Sequence, residues 1–264
     1  MAELLPGADP FSSDGGPAGV LVLHGLTGTP QSVRGWAEAL ASAGFTVRLP
    51  LLPGHGTSVD DLERTGWADW VTAAKAEYRE LSAACEHVVL AGLSMGGSLA
   101  CRLAADHPAD VRGLVAVNPF IDPPAESFRA TLREILDADI ARAPGIAGDV
   151  ADPDAHEKGY DELPVAPLLS LCEGLVDLQR RLPAIVCPVL VMTSRVDHVV
   201  PPVSSDVLAE RVRGPVERVT LERSYHVATL DHDRQEVERR SVEFARRVTG
   251  GAPYDRVHGR APVP

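Results

Sequence analysis

Between Ala18 and Asn118, short runs of Val and Leu alternate with longer stretches of helical periodicity. The runs are Val20–His24, Phe45–Leu49, Val88–Leu93 and Leu114–Asn118, and they run out at Gly, Pro or Asn. They lack the polar alternation of a strand with one wet face, so both faces are expected to be buried. Helical spacing covers Val33–Ala43, Trp67–Cys85 and Met95–His107, the last closed by Pro108. Strands alternating with helices in this way predict an α/β fold, a mostly parallel sheet with crossover helices on both faces. In the second helix Trp67, Trp70, Val71, Ala74, Tyr78 and Leu81 share one face, which makes the aromatics core residues rather than a ligand cage.

After Asn118 the rhythm breaks. Residues 119–184 offer no buried strand but a helix over Ala125–Ala143, with Phe128, Leu132, Leu136 and Ile140 on one side. A Pro/Gly/Asp-rich stretch, Ala143–Pro167, follows, then helical pieces near Leu168–Leu182. The α/β pattern resumes with a strand at Val189–Thr193, a helix near Ser204–Val212, a strand at Val216–Leu221 and a last helix, Asp233–Val248. A structureless loop as long as 119–184 is rare in a compact domain. The expected organisation is therefore one core, residues 1–118 and 185–251, with a helical cap inserted at 119–184 and a loose polar tail at 252–264. Within the cap, Gly145–Pro164 is the expected mobile margin of a lid.

Composition narrows the function. The 37 acidic and 25 basic residues leave a net charge of −12, the wrong sign for neutralising phosphates, so neither nucleic acid nor an anionic lipid surface is an expected partner. No apolar run reaches the roughly 18 residues of a membrane span. Met1–Asp14 has no basic residue and no apolar centre, unlike a secretory signal. Cys85, Cys101, Cys172 and Cys187 show no CxxC spacing and read as small core residues of a cytoplasmic protein. His55, His87, His107, His156 and His258 show no metal-ligand spacing; no metal and no other cofactor is expected.

Gly92-Leu93-Ser94-Met95-Gly96 is a G-x-S-x-G pentapeptide lying between a predicted buried strand and a predicted helix. A nucleophile elbow needs that setting: the tight turn exposes the serine hydroxyl, and the flanking glycines let strand and helix approach. It also places Ser94 at a helix N-terminus, where backbone N–H groups favour developing negative charge. A serine needs a base, and a histidine base needs an acid to fix its tautomer. In this architecture they follow in the order acid, then histidine, each after a later strand. Asp197 follows Val189–Thr193 and His226 follows Val216–Leu221, both beyond the carboxyl ends of predicted strands. The loop His24-Gly25-Leu26-Thr27-Gly28, after the first strand, is placed to supply a second oxyanion donor, the Leu26 N–H, beside that of Met95; His24 then ties the loop. Asp122, His198, Asp231 and His232 are competitors: Asp122 follows the strand before the cap, His198 is on the wrong loop for the base, and Asp231 reads as a helix cap.

With these motifs in place the chain resembles the α/β-hydrolases, and among them the small bacterial carboxylesterases and monoacylglycerol lipases. The resemblance rests on Leu23–Gly28, Leu52-Pro53-Gly54-His55-Gly56, Gly92–Gly97, Asp197–Pro202 and Ser224-Tyr225-His226-Val227, and spans roughly residues 18–248. It implies a sheet of about six to seven strands, the superfamily's first two being absent or reduced. It implies Ser94 as nucleophile, Asp197 as acid, His226 as base, and Leu26 and Met95 as oxyanion donors. A small-molecule ester of a short-to-medium acyl chain, or a monoacylglycerol, is the implied substrate. Phe120, Ile121, Leu136, Leu168 and Val199 are the expected substrate-facing residues. Two alternatives stay open: the same triad acting on a thioester, lactone, amide or C–C bond, and a non-catalytic receptor for a small ligand. Neither spacing nor composition separates these, because function lives in the pocket.

Overall fold

The computed structural model describes residues 3–250; the predicted tail, 252–264, lies outside the described residues. Seven strands form the main sheet: β1 (Phe11–Ser13), β2 (Ala18–Leu23), β3 (Thr46–Leu49), β4 (His87–Leu93), β5 (Val111–Val117), β8 (Val189–Ser194) and β9 (Val216–Leu221). Their spatial order is β1-β3-β2-β4-β5-β8-β9. All neighbours pair in parallel except β1, which pairs antiparallel with β3 through Phe11↔Leu49 and Ser13↔Val47. The strand order reverses between β2 and β4, since β3 lies on one side of β2 and all later strands on the other. In open α/β sheets ligands bind at such a reversal, beyond the carboxyl ends of the strands.

Strand alternation sorts the central residues onto two faces. Leu21, Leu23, Leu90, Leu114, Ala116, Val189 and Val191 face α3 (Trp67–Ala84), α4 (Met95–Asp106) and α6 (Val165–Arg181). Val20, Val22, Val89, Ala91, Val115, Val117, Leu190 and Met192 face α1 (Arg34–Ser42) and α8 (Arg234–Gly250), where Trp36 and Phe244 are fully buried. Each buried Val or Leu contributes about 1.5–3 kcal/mol relative to exposure, so this double-sided core holds the strand ends, and hence the site, in place. Trp67, Trp70, Ala74, Tyr78 and Leu81 of α3 are buried on one side, as their spacing predicts.

Residues 119–184 add no strand to the main sheet, but they differ from the predicted helices in detail. Helix α5 (Glu126–Asp137) stops before Ala143, because Asp139 turns left-handed with φ 58°. The chain then enters β6 (Arg142–Pro144), which pairs antiparallel with β7 (Glu162–Pro164), a ribbon the periodicity did not show. Arg142 holds it in place through ion pairs with Asp60, Glu63 and Glu162. Asp60 and Glu63 belong to α2 (Val59–Glu63), a short helix capped by Ser58 and not seen in the apolar pattern. Of the four apolar residues predicted on one side of the Ala125–Ala143 helix only Leu132 is buried; Leu136 is half-buried, while Phe128 and Ile140 are exposed. Helix α6 begins at Val165, three residues before the predicted Leu168. Between α6 and β9, α7 (Val203–Arg211) completes the core. No helix among the described residues is long and apolar enough to cross a membrane.

Candidate active site

Ser94 sits between β4 and α4 in a backbone conformation (φ 55°, ψ −120°) that L-residues rarely adopt. Strain of this kind costs about 1–3 kcal/mol and persists only where the surroundings impose it. They do so here by close approach. A Cβ on Gly92 would lie 2.2 Å from the carbonyl of Gly96, and one on Gly96 would lie 2.0 Å from the Leu23 oxygen. The Ser94 N–H donates to the Val117 carbonyl (3.0 Å), and the Ser94 carbonyl accepts from the N–H groups of Ser98 (3.1 Å) and Phe120 (3.3 Å). The turn is thus wedged between the ends of β2, β4 and β5. Met95 opens α4, so its N–H has no intrahelical carbonyl to bind. Gly25 lies against the serine: a Cβ there would stand 3.9 Å from Ser94 Oγ, which brings the His24–Gly28 loop to the elbow.

The candidate acid and base meet. His226 Nδ1 donates to Asp197 Oδ2 at 2.7 Å, with the two side chains only 7% and 2% exposed. Asp197 Oδ1 accepts the N–H groups of Val199 (2.9 Å) and Val200 (2.7 Å), which fixes the carboxylate. With its proton on Nδ1, the ring presents an unprotonated Nε2. The predicted competitors are committed elsewhere. Asp122 accepts from Gln179 Nε2 (3.0 Å), and exposed His198 pairs with Asp149 (2.7 Å). Asp231 corrects its reading as the cap of the last helix. That helix starts only at Arg234, and the fully buried Asp231 carboxylate accepts the N–H groups of Ala151, Asp152, Tyr225 and His232.

Comparisons with known proteins place the fold in a family. The family described as "Serine aminopeptidase, S33" matches residues 17–233. The chain belongs to that family. It is 42% identical over 252 residues to a thermostable monoacylglycerol lipase of Bacillus sp. (strain H-257), covering 94% of this chain and 98% of the relative. It is 27% identical over 242 residues to a carboxylesterase of Bacillus subtilis (strain 168), covering 90% and 96%. Among solved structures, one from work on the metagenome-derived lipolytic enzymes LipS and LipT matches with a TM-score of 0.88 at 38% identity, over 92% of this chain and 99% of that one. The α/β-hydrolase fold expected from the motifs is the fold observed.

In this hydrolase the other sequence-derived site residues divide by burial. Leu26 is buried in the loop beside Gly25; Phe120, Leu168 and Val199 are half-buried, and Phe120 and Leu168 pack against the core cluster that holds Met95. Leu136, on α5, is half-buried. Ile121 has no exposed surface and belongs to the same core cluster, and its N–H donates to Ser204 Oγ.

Three contributors escaped sequence reasoning. Asn118 (φ 43°) ends β5 and bridges strand ends: its Nδ2 donates to the His226 carbonyl (2.7 Å) and its Oδ1 accepts the Ser194 N–H (2.7 Å). Glu157 accepts the Gly148 N–H through Oε2 (2.8 Å), while Oε1 points at Gly28, where a Cβ would be 2.9 Å away. Burial pushes its carboxyl above the usual range, opposed by the Gly148 N–H and by nearby His226. Asp149 is the third, with bonds to both loops.

His24 ties the loop as expected. Its Nε2 accepts the Leu52 N–H (3.1 Å), its Nδ1 donates to the Gly25 carbonyl (3.0 Å), and its ring meets His55 edge-on at 5.0 Å. Burial holds both imidazoles neutral, lowering His24 to about 3 and His55 to about 4. The unfolded chain protonates both near pH 6.5, so their stability contribution is full above that pH and drains away as pH falls toward 4. By pH 4.5 the pair is expected to have cost roughly 5 kcal/mol. Guanidinium unfolding between pH 7 and 4.5 tests this; His55→Phe should make the dependence much shallower, and an unchanged slope would refute the assignment.

Proposed function

We propose that this protein is a serine ester hydrolase that cleaves monoacylglycerols and other carboxylic esters of short-to-medium acyl chains through an acyl-enzyme on Ser94. The observation that carries the reading is the buried Asp197–His226 pair beyond the ends of β8 and β9, taken with the strained serine turn at the end of β4 in the same sheet. In this mechanism Ser94 Oγ attacks the ester carbonyl while His226 Nε2 takes its proton. Asp197 holds the imidazole and stabilises the imidazolium. The Leu26 and Met95 N–H groups receive the oxyanion, the Met95 N–H reinforced by the positive end of α4. His226 then protonates the departing alcohol, and a water repeats the sequence on the acyl-enzyme.

Supporting features point to the two halves of the substrate. Half-buried Phe120, Leu168 and Val199 offer apolar surface suited to an acyl chain. Glu157 Oε1 faces Gly28, in the loop of the proposed oxyanion donor Leu26, and we read it as an acceptor for a free hydroxyl of a polyol leaving group, which favours a monoacylglycerol over a triacylglycerol. The relative named as a monoacylglycerol lipase, of which this chain covers nearly the whole length, supports the same substrate class. We further place the enzyme in the cytoplasm, where buried thiols such as Cys101, Cys172 and Cys187 stay reduced.

The test is a substrate panel: p-nitrophenyl esters from acetate to palmitate, monoacylglycerols, a triacylglycerol, an acyl-CoA and aminoacyl p-nitroanilides. Turnover is expected to peak at medium chain length, with monoacylglycerol far ahead of triacylglycerol. Turnover confined to the thioester or to the anilides would replace the ester reading with the matching bond class.

A further inference from the structure

The segment that runs from Gly148 to Asp152 lies outside the α/β core, yet it touches both loops that deliver the acid and the base. We propose that Asp149 is a positioning residue for hydrolysis: its carboxylate holds the loop of Asp197 in register with the loop of His226, so the acid–base pair is aligned only while this segment is docked. The proposal rests on the hydrolase reading above and adds to it a residue of the inserted segment that acts on the rate of the chemical step.

The contacts are specific. Asp149 Oδ2 accepts two backbone N–H groups, that of His198, next to the acid, and that of the base His226, each at 3.1 Å. Oδ1 pairs with His198 Nδ1 at 2.7 Å, and the Asp149 carbonyl accepts the Val227 N–H at 3.1 Å. One side chain, 14% exposed, therefore grips the residue after the acid and the base itself. The loops are separate extensions of β8 and β9, and the Asp197–His226 bond of 2.7 Å survives only if they keep their spacing. Asn118 holds the inner side of the same junction through the His226 carbonyl, leaving the backbone N–H on the outer side to Asp149.

The rest of the segment is anchored in the same way. Asp231, on the core side, accepts from Ala151 (2.7 Å) and Asp152 (3.0 Å) as well as from Tyr225 (2.8 Å), one residue before the base. Gly148, with φ 84°, directs its own N–H to Glu157. Two carboxylates thus knit residues 149–152 to the base loop from opposite sides. The stretch Gly145–Pro164, expected from composition to be the mobile margin of a lid, is tied here near its start to the acid and base loops.

The test compares Asp149→Ala with Asp149→Asn on p-nitrophenyl acetate and p-nitrophenyl decanoate. In D149A, kcat is expected to fall about 10- to 100-fold on both esters, with KM within about threefold, because small misplacements of a base cost rate rather than binding. The downfield proton resonance of the Asp197–His226 hydrogen bond should broaden or shift. D149N should recover most of the lost rate: the amide oxygen at the Oδ2 position still accepts both backbone N–H groups, and exposed His198 can switch tautomer to face the amide N–H. If D149A does not fold, Asp149→Ser, whose shorter side chain cannot reach both loops, takes its place in the comparison. Wild-type kcat in D149A with KM raised on decanoate alone would overturn the proposal, as would an Asn variant as slow as the Ala variant. Those failures leave the hydrolase reading standing. That reading fails separately, if a fluorophosphonate does not label Ser94 in the unmodified protein.

Discussion

Ser94→Ala is expected to lower kcat/KM on p-nitrophenyl esters by about 10⁴- to 10⁶-fold and to abolish fluorophosphonate labelling, with the fold intact. The structure says why the variant is clean. The turn is held by the Ser94 backbone, through its bonds with Val117, Ser98 and Phe120, so the hydroxyl is not needed to form it. Its left-handed conformation strains any residue with a Cβ, and alanine carries the same burden as serine. Thermal melts of the two proteins should therefore overlay within a few degrees while turnover disappears. Residual activity within tenfold of wild type would mean that another group attacks the ester and that the assignment of Ser94 is wrong.

How much of this was legible in the sequence follows from what each feature demands locally. The elbow needs a serine flanked by glycines between a buried strand and a helix, and the acid and base need to follow later strands in order. Those demands fix residue types at short range, and the structure brings Asp197 and His226 into contact where the order predicts. Residues 119–184 obey no such short-range demand. Helix α5 ends at a left-handed Asp139, and the ribbon after it is held by Arg142 reaching Asp60 and Glu63, partners some 80 residues away. Strand β1 is three residues long, too short for any period to show, and exists because β3 offers it an edge. Asp149 and Asp231 were unreadable for a further reason: a carboxylate that binds backbone N–H groups of distant loops leaves no spacing signature. Ile121 shows the matching ambiguity among apolar residues, since a core side chain and a substrate-facing one look alike in sequence.

Asp197→Asn is the second large effect, and here the hydrogen bonds dictate the outcome. Asp197 Oδ1 is claimed by two backbone donors, the N–H groups of Val199 and Val200. An asparagine must keep its one oxygen there, because turning its NH₂ toward two N–H groups would leave three buried donors facing one another. Its NH₂ then occupies the Oδ2 position and donates to His226 Nδ1. The imidazole answers by moving its proton to Nε2, the nitrogen that has to accept the proton of Ser94. A base in the wrong tautomer cannot accept, and it also loses the anion that stabilises the imidazolium; together these are worth about 10⁴-fold in kcat. Shape and volume barely change, so KM and the melting temperature should move little. Asp197→Ala, which leaves the ring free to take either tautomer, should then retain as much activity as Asp197→Asn or more. That ordering is the discriminating measurement, since a carboxylate needed only for packing would make alanine the worse of the two.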